Sequence, residues 1–127
     1  MNRQILILIV SIILVVFCGI WEIKYLENSS RFCLTDIEYS QNTIKNNDFN
    51  LAKTNIEEIK KTWSSMKTIW NIFVEHSEVD NIEETLVEYK VYVENENKEE
   101  ALRTSEILKR YFYHVVERQR LCIDNVF

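Results

Sequence analysis

Turns need residues that this chain almost lacks: it has no proline, and its one glycine, Gly19, lies inside an apolar run. Gly and Pro supply the backbone angles of tight turns. Their scarcity argues against a β-sandwich, a barrel, a collagen-like chain and a Gly-rich phosphate loop. What remains is an all-α fold. At 127 residues the chain is one domain's worth of sequence. Its 15 Lys+Arg against 20 Asp+Glu leave a net charge of -5. No nucleic-acid partner is expected, because a general binder would show a basic stripe.

Ile5 to Trp21 carries no charge, and its weakly polar members are Ser11, Cys18 and Gly19. At ~1.5 Å per residue the run reaches about 25 Å, which the stems of Arg3 and Lys24 extend toward a ~30 Å hydrocarbon layer. Trp21 and Tyr25 stand where interfacial aromatics belong. A cleaved secretory signal would have a shorter apolar region followed by small residues. Here Ile20, Trp21 and Ile23 follow. A lipoprotein signal needs small residues before the acylated Cys, and Val15, Val16 and Phe17 precede Cys18. The run therefore predicts an uncleaved anchor, with residues 1–24 as a transmembrane segment in the lipid bilayer and 25–127 as a separate bundle. Upstream of the run stands Arg3 without an acid; downstream stand the other basic residues and all the acids. The positive-inside rule then places the N-terminus in the cytoplasm and residues 25–127 outside it.

Beyond the anchor, apolar and small residues recur at alternating steps of 3 and 4: Ile23, Leu26, Ser30, Cys33, Ile37, Ser40 and Ile44. This is the pattern of a membrane helix running on as an amphipathic one. Ser30 and Ser40 weaken the seam, leaving it open to a partner helix. Asn46-Asn47-Asp48 breaks the pattern, with Asn47 or Asp48 as the next N-cap. A second helix follows with Phe49, Ala52, Ile56, Ile59, Trp63, Met66, Trp70 and Phe73 in strict register. Glu75 to Ser77 is the next break, with Ser77 as a cap. The third helix carries Val79, Ile82, Leu86, Tyr89 and Val93. After Asn95-Glu96-Asn97, Asn97 and Glu100 resemble a capping box. The fourth helix carries Ala101, Leu102, Leu108, Tyr111, Phe112, Val115 and Val116, and an apolar tail from Leu121 docks or frays. Short connectors imply antiparallel neighbours. The expected architecture is an N-terminal transmembrane helix continuing into an antiparallel bundle of about four helices.

The segment Trp70-Asn71-Ile72-Phe73-Val74-Glu75-His76-Ser77-Glu78-Val79-Asp80-Asn81-Ile82-Glu83, with the tail Leu121-Cys122-Ile123-Asp124-Asn125-Val126-Phe127, resembles a family of small anchored proteins from low-GC Gram-positive bacteria. It is known only as domain-of-unknown-function family 4363. The resemblance spans the chain: a short anchor, an Asn/Asp-aromatic start to the second helix, a Trp-rich second helix and the His-x-Glu-x-Asp-Asn-Ile-Glu segment. One departure is that the family often has Pro just after the His-hydrophobic pair of the last helix, where this chain has Val115-Val116. The departure implies a last helix that runs on further. The resemblance implies no activity.

Two sets of residues are candidate sites. Folding helices three and four about residue 95 sets His76 opposite His114 and Asp80 opposite Arg110, with Glu83 one turn on. The set suits a hydrogen-bonded polar corner with an Asp80–Arg110 pair. Two His and a carboxylate also suit Zn²⁺, but no tight ligand motif is present, so no metal and no cofactor are expected. Trp63 and Trp70 are a possible aromatic pocket, or simply core. Cys18 lies in the span. Cys33 and Cys122 are either bridged or unpaired. Glu57-Glu58, Glu83-Glu84 and Glu99-Glu100 are adjacent pairs, which do not share a face. No nucleophile elbow, P-loop or dinucleotide fingerprint occurs, so a catalytic role is not expected. The function expected is that of an accessory or interaction subunit bound to a membrane-protein partner. The alternative is an extracytoplasmic sensor or ligand-binding bundle.

Overall fold

The computed structural model describes residues 2–126. Four helices follow in order: α1 (Arg3–Lys45), α2 (Phe49–Phe73), α3 (His76–Glu94) and α4 (Lys98–Val126). α1 is one unbroken helix of 43 residues, about 65 Å at ~1.5 Å per residue. Its first half is exposed on all sides, and is long and apolar enough to cross a membrane. From Leu26 onward the same helix enters the core. α1 packs on α2 and α4, and α3 packs on the same two helices. Ion pairs and hydrogen bonds fix the antiparallel registers: Arg120 with Glu27, Gln41 with Ser105, Lys67 with Glu83, and Lys53 with Glu96. The result is an up-down-up-down bundle, with the α2–α3 corner and the end of α4 beside the apolar half of α1.

Every inner position that the 3–4 spacing predicts from Leu26 to Ile44 is buried. Burial of each aliphatic side chain contributes ~1.5–3 kcal/mol relative to exposure. Ser30 and Ser40 are buried with them, so the seam is not open to a partner helix. Its own bundle fills it: Ser30 Oγ donates to the Phe112 carbonyl at 3.5 Å, and Ser40 Oγ lies 2.5 Å from the Tyr89 hydroxyl. A serine in a seam weakens it only where no acceptor faces it.

Asp48 is the N-cap of α2, its carboxylate accepting from the Leu51 amide at 3.2 Å. Asn97 Oδ1 accepts from the Glu100 amide at 3.3 Å, but Glu100 turns to Arg103 instead of completing a capping box. Ser77 is not a cap. α3 starts two residues earlier than that cap would set it, at His76, with Glu75 before it and no side-chain cap. α4 continues as helix through Val126, as the missing proline implied, and Leu121 stands exposed on it rather than docked.

The two connectors at the far end are copies of one turn. Asn47 and Glu96 both have left-handed backbone, at φ 59° and 55°. The amides of Asn46, Asn47 and Asp48 bond the carbonyls of Asn42, Ile44 and Thr43; those of Asn95, Glu96 and Asn97 bond Val91, Val93 and Tyr92. Shifting the chain by 49 residues lays Asn47 on Glu96, and the core follows. Ser30, Cys33, Ile37, Ser40 and Ile44 fall on Val79, Ile82, Leu86, Tyr89 and Val93; Ala52, Asn55, Ile56, Ile59, Trp63 and Met66 fall on Ala101, Thr104, Ser105, Leu108, Phe112 and Val115. All of these are buried. The bundle is thus two helical hairpins, α1–α2 and α3–α4, related by an approximate two-fold axis. Residues on that axis meet their own equivalents across the diagonals. Ser40 meets Tyr89, and the Trp63 ring centroid lies 5.8 Å from that of Phe112.

Candidate functional site

The half of the bundle nearest the apolar segment is aromatic. Trp63 and Trp70 stand one heptad apart on α2 with centroids 5.4 Å apart and planes at 74°, and Phe112 of α4 meets both edge-on. Such geometry aligns ring edges with ring faces. All three rings are buried. The space between the indoles, read from sequence as a possible pocket, is taken by the Phe112 ring. Trp70 Nε1 donates to Ser29 Oγ at 2.9 Å, whereas Trp63 Nε1 has no partner.

The polar corner of helices three and four is not made by the residues expected of it. His76, Asp80, Arg110 and His114 are all exposed. His76 Nδ1 lies 3.4 Å from Asn71 Oδ1, and His114 Nε2 lies 3.8 Å from Glu78. Asp80 and Arg110 do not pair with each other; Glu83 pairs with Lys67 of α2 at 2.5 Å. The physical reason is helical phase. His76, Asp80 and Glu83 do share a face, but one turned away from the Val79–Ile82–Leu86 core row. Glu75 and Glu78 face α4, and Arg118 bridges them at 3.0 and 2.8 Å. Gln119 Nε2 donates to the Phe73 carbonyl at 3.1 Å, closing the end of α2. A register about residue 95 misplaces α4 because Glu96, in the left-handed turn, sets where the hairpin folds. Among the described residues no group of three or more His, Cys, Asp or Glu is placed to hold a metal ion.

All three cysteines are free, so Cys33 and Cys122 are not bridged. Cys33 is buried with its Sγ 3.7 Å from Met66 Sδ, while Cys122 is exposed on α4. Burial first, and Asp36 second, push the Cys33 thiol up to about 12. It is an inert core residue, not a nucleophile.

Sequence reasoning missed a buried polar layer in the far half. Gln41 Nε2 donates to Ser105 Oγ and Glu106 Oε1, both at 2.8 Å, and that bond, with Lys109 behind it, lowers the Glu106 carboxyl. Asn55 Nδ2 and Thr104 Oγ1 are buried without partners, at equivalent positions of the two hairpins. The signal was available: both positions fall one step before the seam, at the same place in the 49-residue shift.

What the filled core leaves for recognition is surface, and much of its apolar part is on α1, with Ile72, Val87, Val91 and Tyr113 exposed on the other helices. Trp21, Phe32 and Tyr39 are 49 %, 59 % and 54 % exposed. Trp21, Tyr25, Phe32, Thr62 and Met66 line an open groove between α1 and α2 beside the apolar segment. A family model described as a domain of unknown function, DUF4363, matches residues 20–126, and the chain belongs to that family. No curated protein and no solved structure matches it.

Proposed function

We propose that the chain is a non-catalytic, single-pass membrane protein that acts as an accessory or interaction subunit of a membrane complex. Residues 5–21 are its anchor in the lipid bilayer. Its N-terminus is cytoplasmic and residues 25–127 are extracytoplasmic. The observation that carries this reading is α1. Its first half presents apolar side chains on all sides, and its second half is the core of a bundle. Such a surface is stable in lipid and not in water. The filled core turns recognition outward, to helix faces. A second reading, a sensor or ligand-binding bundle, is favoured by the open groove at Trp21, Tyr25, Phe32 and Met66.

Cys122 gives the test of topology, being exposed while Cys33 is buried and Cys18 lies in the apolar run. A thiol reagent that cannot cross membranes labels Cys122 in intact cells if residues 25–127 are outside. Labelling only after permeabilisation gives the opposite orientation. For the role, the tagged full chain is crosslinked and recovered from native membranes beside an anchor-swapped control. A dominant co-purifying copy or membrane protein, lost on the swap, is the expected result. None, together with a thermal shift on adding small apolar ligands, favours the groove as a binding site.

A further inference from the structure

α1 carries a second seam, on the side away from the bundle. Gln4, Ser11, Cys18, Tyr25, Phe32 and Tyr39 follow one another at seven-residue steps, with Ile7, Leu14, Trp21, Asn28 and Thr35 between them. All are exposed except half-buried Tyr25. At ~100° per residue this row lies about 150° from the core seam. A row with alternating 3–4 spacing over five heptads is the pattern of a coiled coil; within the chain Trp21 meets Phe73 edge-on with centroids 5.9 Å apart and Tyr25 packs on the core, while the row as a whole stays open to solvent. The row joins the small Ser11 and Cys18 of the apolar run with the exposed aromatics Trp21, Phe32 and Tyr39, of which Trp21 and Phe32 also line the groove to α2.

The charges beside the row say what fits it. One flank carries Lys24, Arg31 and then Glu38, which pairs with Lys109 of α4; the other carries Glu22 and Asp36. Among the described residues Lys24, Arg31, Glu22 and Asp36 form no ion pair. In a parallel helix pair, opposite flanks meet, each residue facing one about five positions on in its partner. Arg31 then faces Asp36 of the other helix, twice by symmetry, whereas Lys24 faces Ser29 and Glu22 faces Phe17. A second copy anchored in the same bilayer presents the same row, in parallel and at the same height. We propose that this outer seam of α1 pairs with the same seam of a second copy, forming a parallel homodimer from the span to Tyr39. The proposal rests on the reading of residues 5–21 as a membrane span.

The test uses the full chain in its native membranes, with Cys18→Ser and Cys122→Ser in the background. Membranes are first washed at alkaline pH. Loss of the chain from the pellet overturns the anchoring and the pairing together; a retained chain confines every later outcome to the pairing. Mild oxidation then compares Asn28→Cys, in the seam, with Glu84→Cys, exposed on α3. A disulfide needs Cα atoms within ~7 Å, so Asn28→Cys is expected to trap a dimer and Glu84→Cys is not. Arg31→Glu lowers trapping about fivefold, since two surface pairs are lost, and adding Asp36→Arg restores it. Restoration also shows that the single variant had not simply misfolded. Equal trapping at both sites, no rescue by the double reversal, or attachment of Asn28→Cys to a different protein overturns the proposal.

Discussion

Tyr89 is fully buried with its hydroxyl against Ser40, and burial pushes its pKa up to about 12 from 10.0, outweighing that hydrogen bond. The folded state therefore holds the neutral phenol. Stability is intact below the ordinary value of 10.0 and is lost as pH rises toward about 12. Cys33, raised to about 12 from 9.0, begins the same loss one step earlier. Denaturant unfolding of the full chain in detergent should show stability falling between those values, and Tyr89→Phe should lessen the fall above the tyrosine's ordinary pKa, leaving the part that belongs to Cys33. At neutral pH that variant should cost ~1–2 kcal/mol for the bond it removes. The two buried indoles make a second contrast. Trp70→Phe should cost about 1 kcal/mol more than Trp63→Phe in the same measurement, because only Trp70 has a hydrogen bond to lose. Burial of both rings was legible in the sequence from their heptad spacing. Which indole would find an acceptor was not, since Ser29 comes from another helix.

Helices were the most legible level. Spacing alone identified all four, their order and most of their buried rows, because a 3–4 repeat leaves one apolar stripe that must be covered; in α4 the buried Thr104 and Ser105 carry no such signal. What spacing does not contain is the azimuth of one helix against the next. That is why His76, Asp80, Arg110 and His114 were grouped while Arg118, Glu75 and Glu78 make the contacts. The outer seam of α1 was equally hidden, for its members become a row only once the inner seam is known to be filled. The 49-residue correspondence is not legible in the sequence because equivalent positions differ in chemistry: Ser30 and Val79, Ile56 and Ser105. The connectors offer the test at this scale. Left-handed backbone disfavours Glu by ~1–2 kcal/mol and suits Asn better. Glu96→Gly should therefore raise stability by about 0.5–1 kcal/mol, and Asn47→Gly should change it much less, by thermal unfolding of the two variants side by side.

At the scale of the molecule, each hairpin is the other's missing half. Neither α1–α2 nor α3–α4 covers its own buried row, and the axis contacts Ser40–Tyr89 and Trp63–Phe112 join one hairpin to the other. Unfolding should then be cooperative across both hairpins. Amide exchange of the chain in bilayers should find the α1, α2 and α3 core rows protected to one common free energy. The last turns of α4, beyond Arg120 with exposed Leu121 and Cys122, should exchange much earlier.

A helix that runs from Arg3 to Lys45 without a break transmits angle as well as distance. One residue inserted between Trp21 and Leu26 would turn the whole bundle by ~100° about the apolar run and lift it by ~1.5 Å. Two such insertions would turn it to nearly the opposite side. The compass bearing of the bundle is therefore written in the count of residues between apolar run and core, and every surface feature of the bundle inherits that bearing.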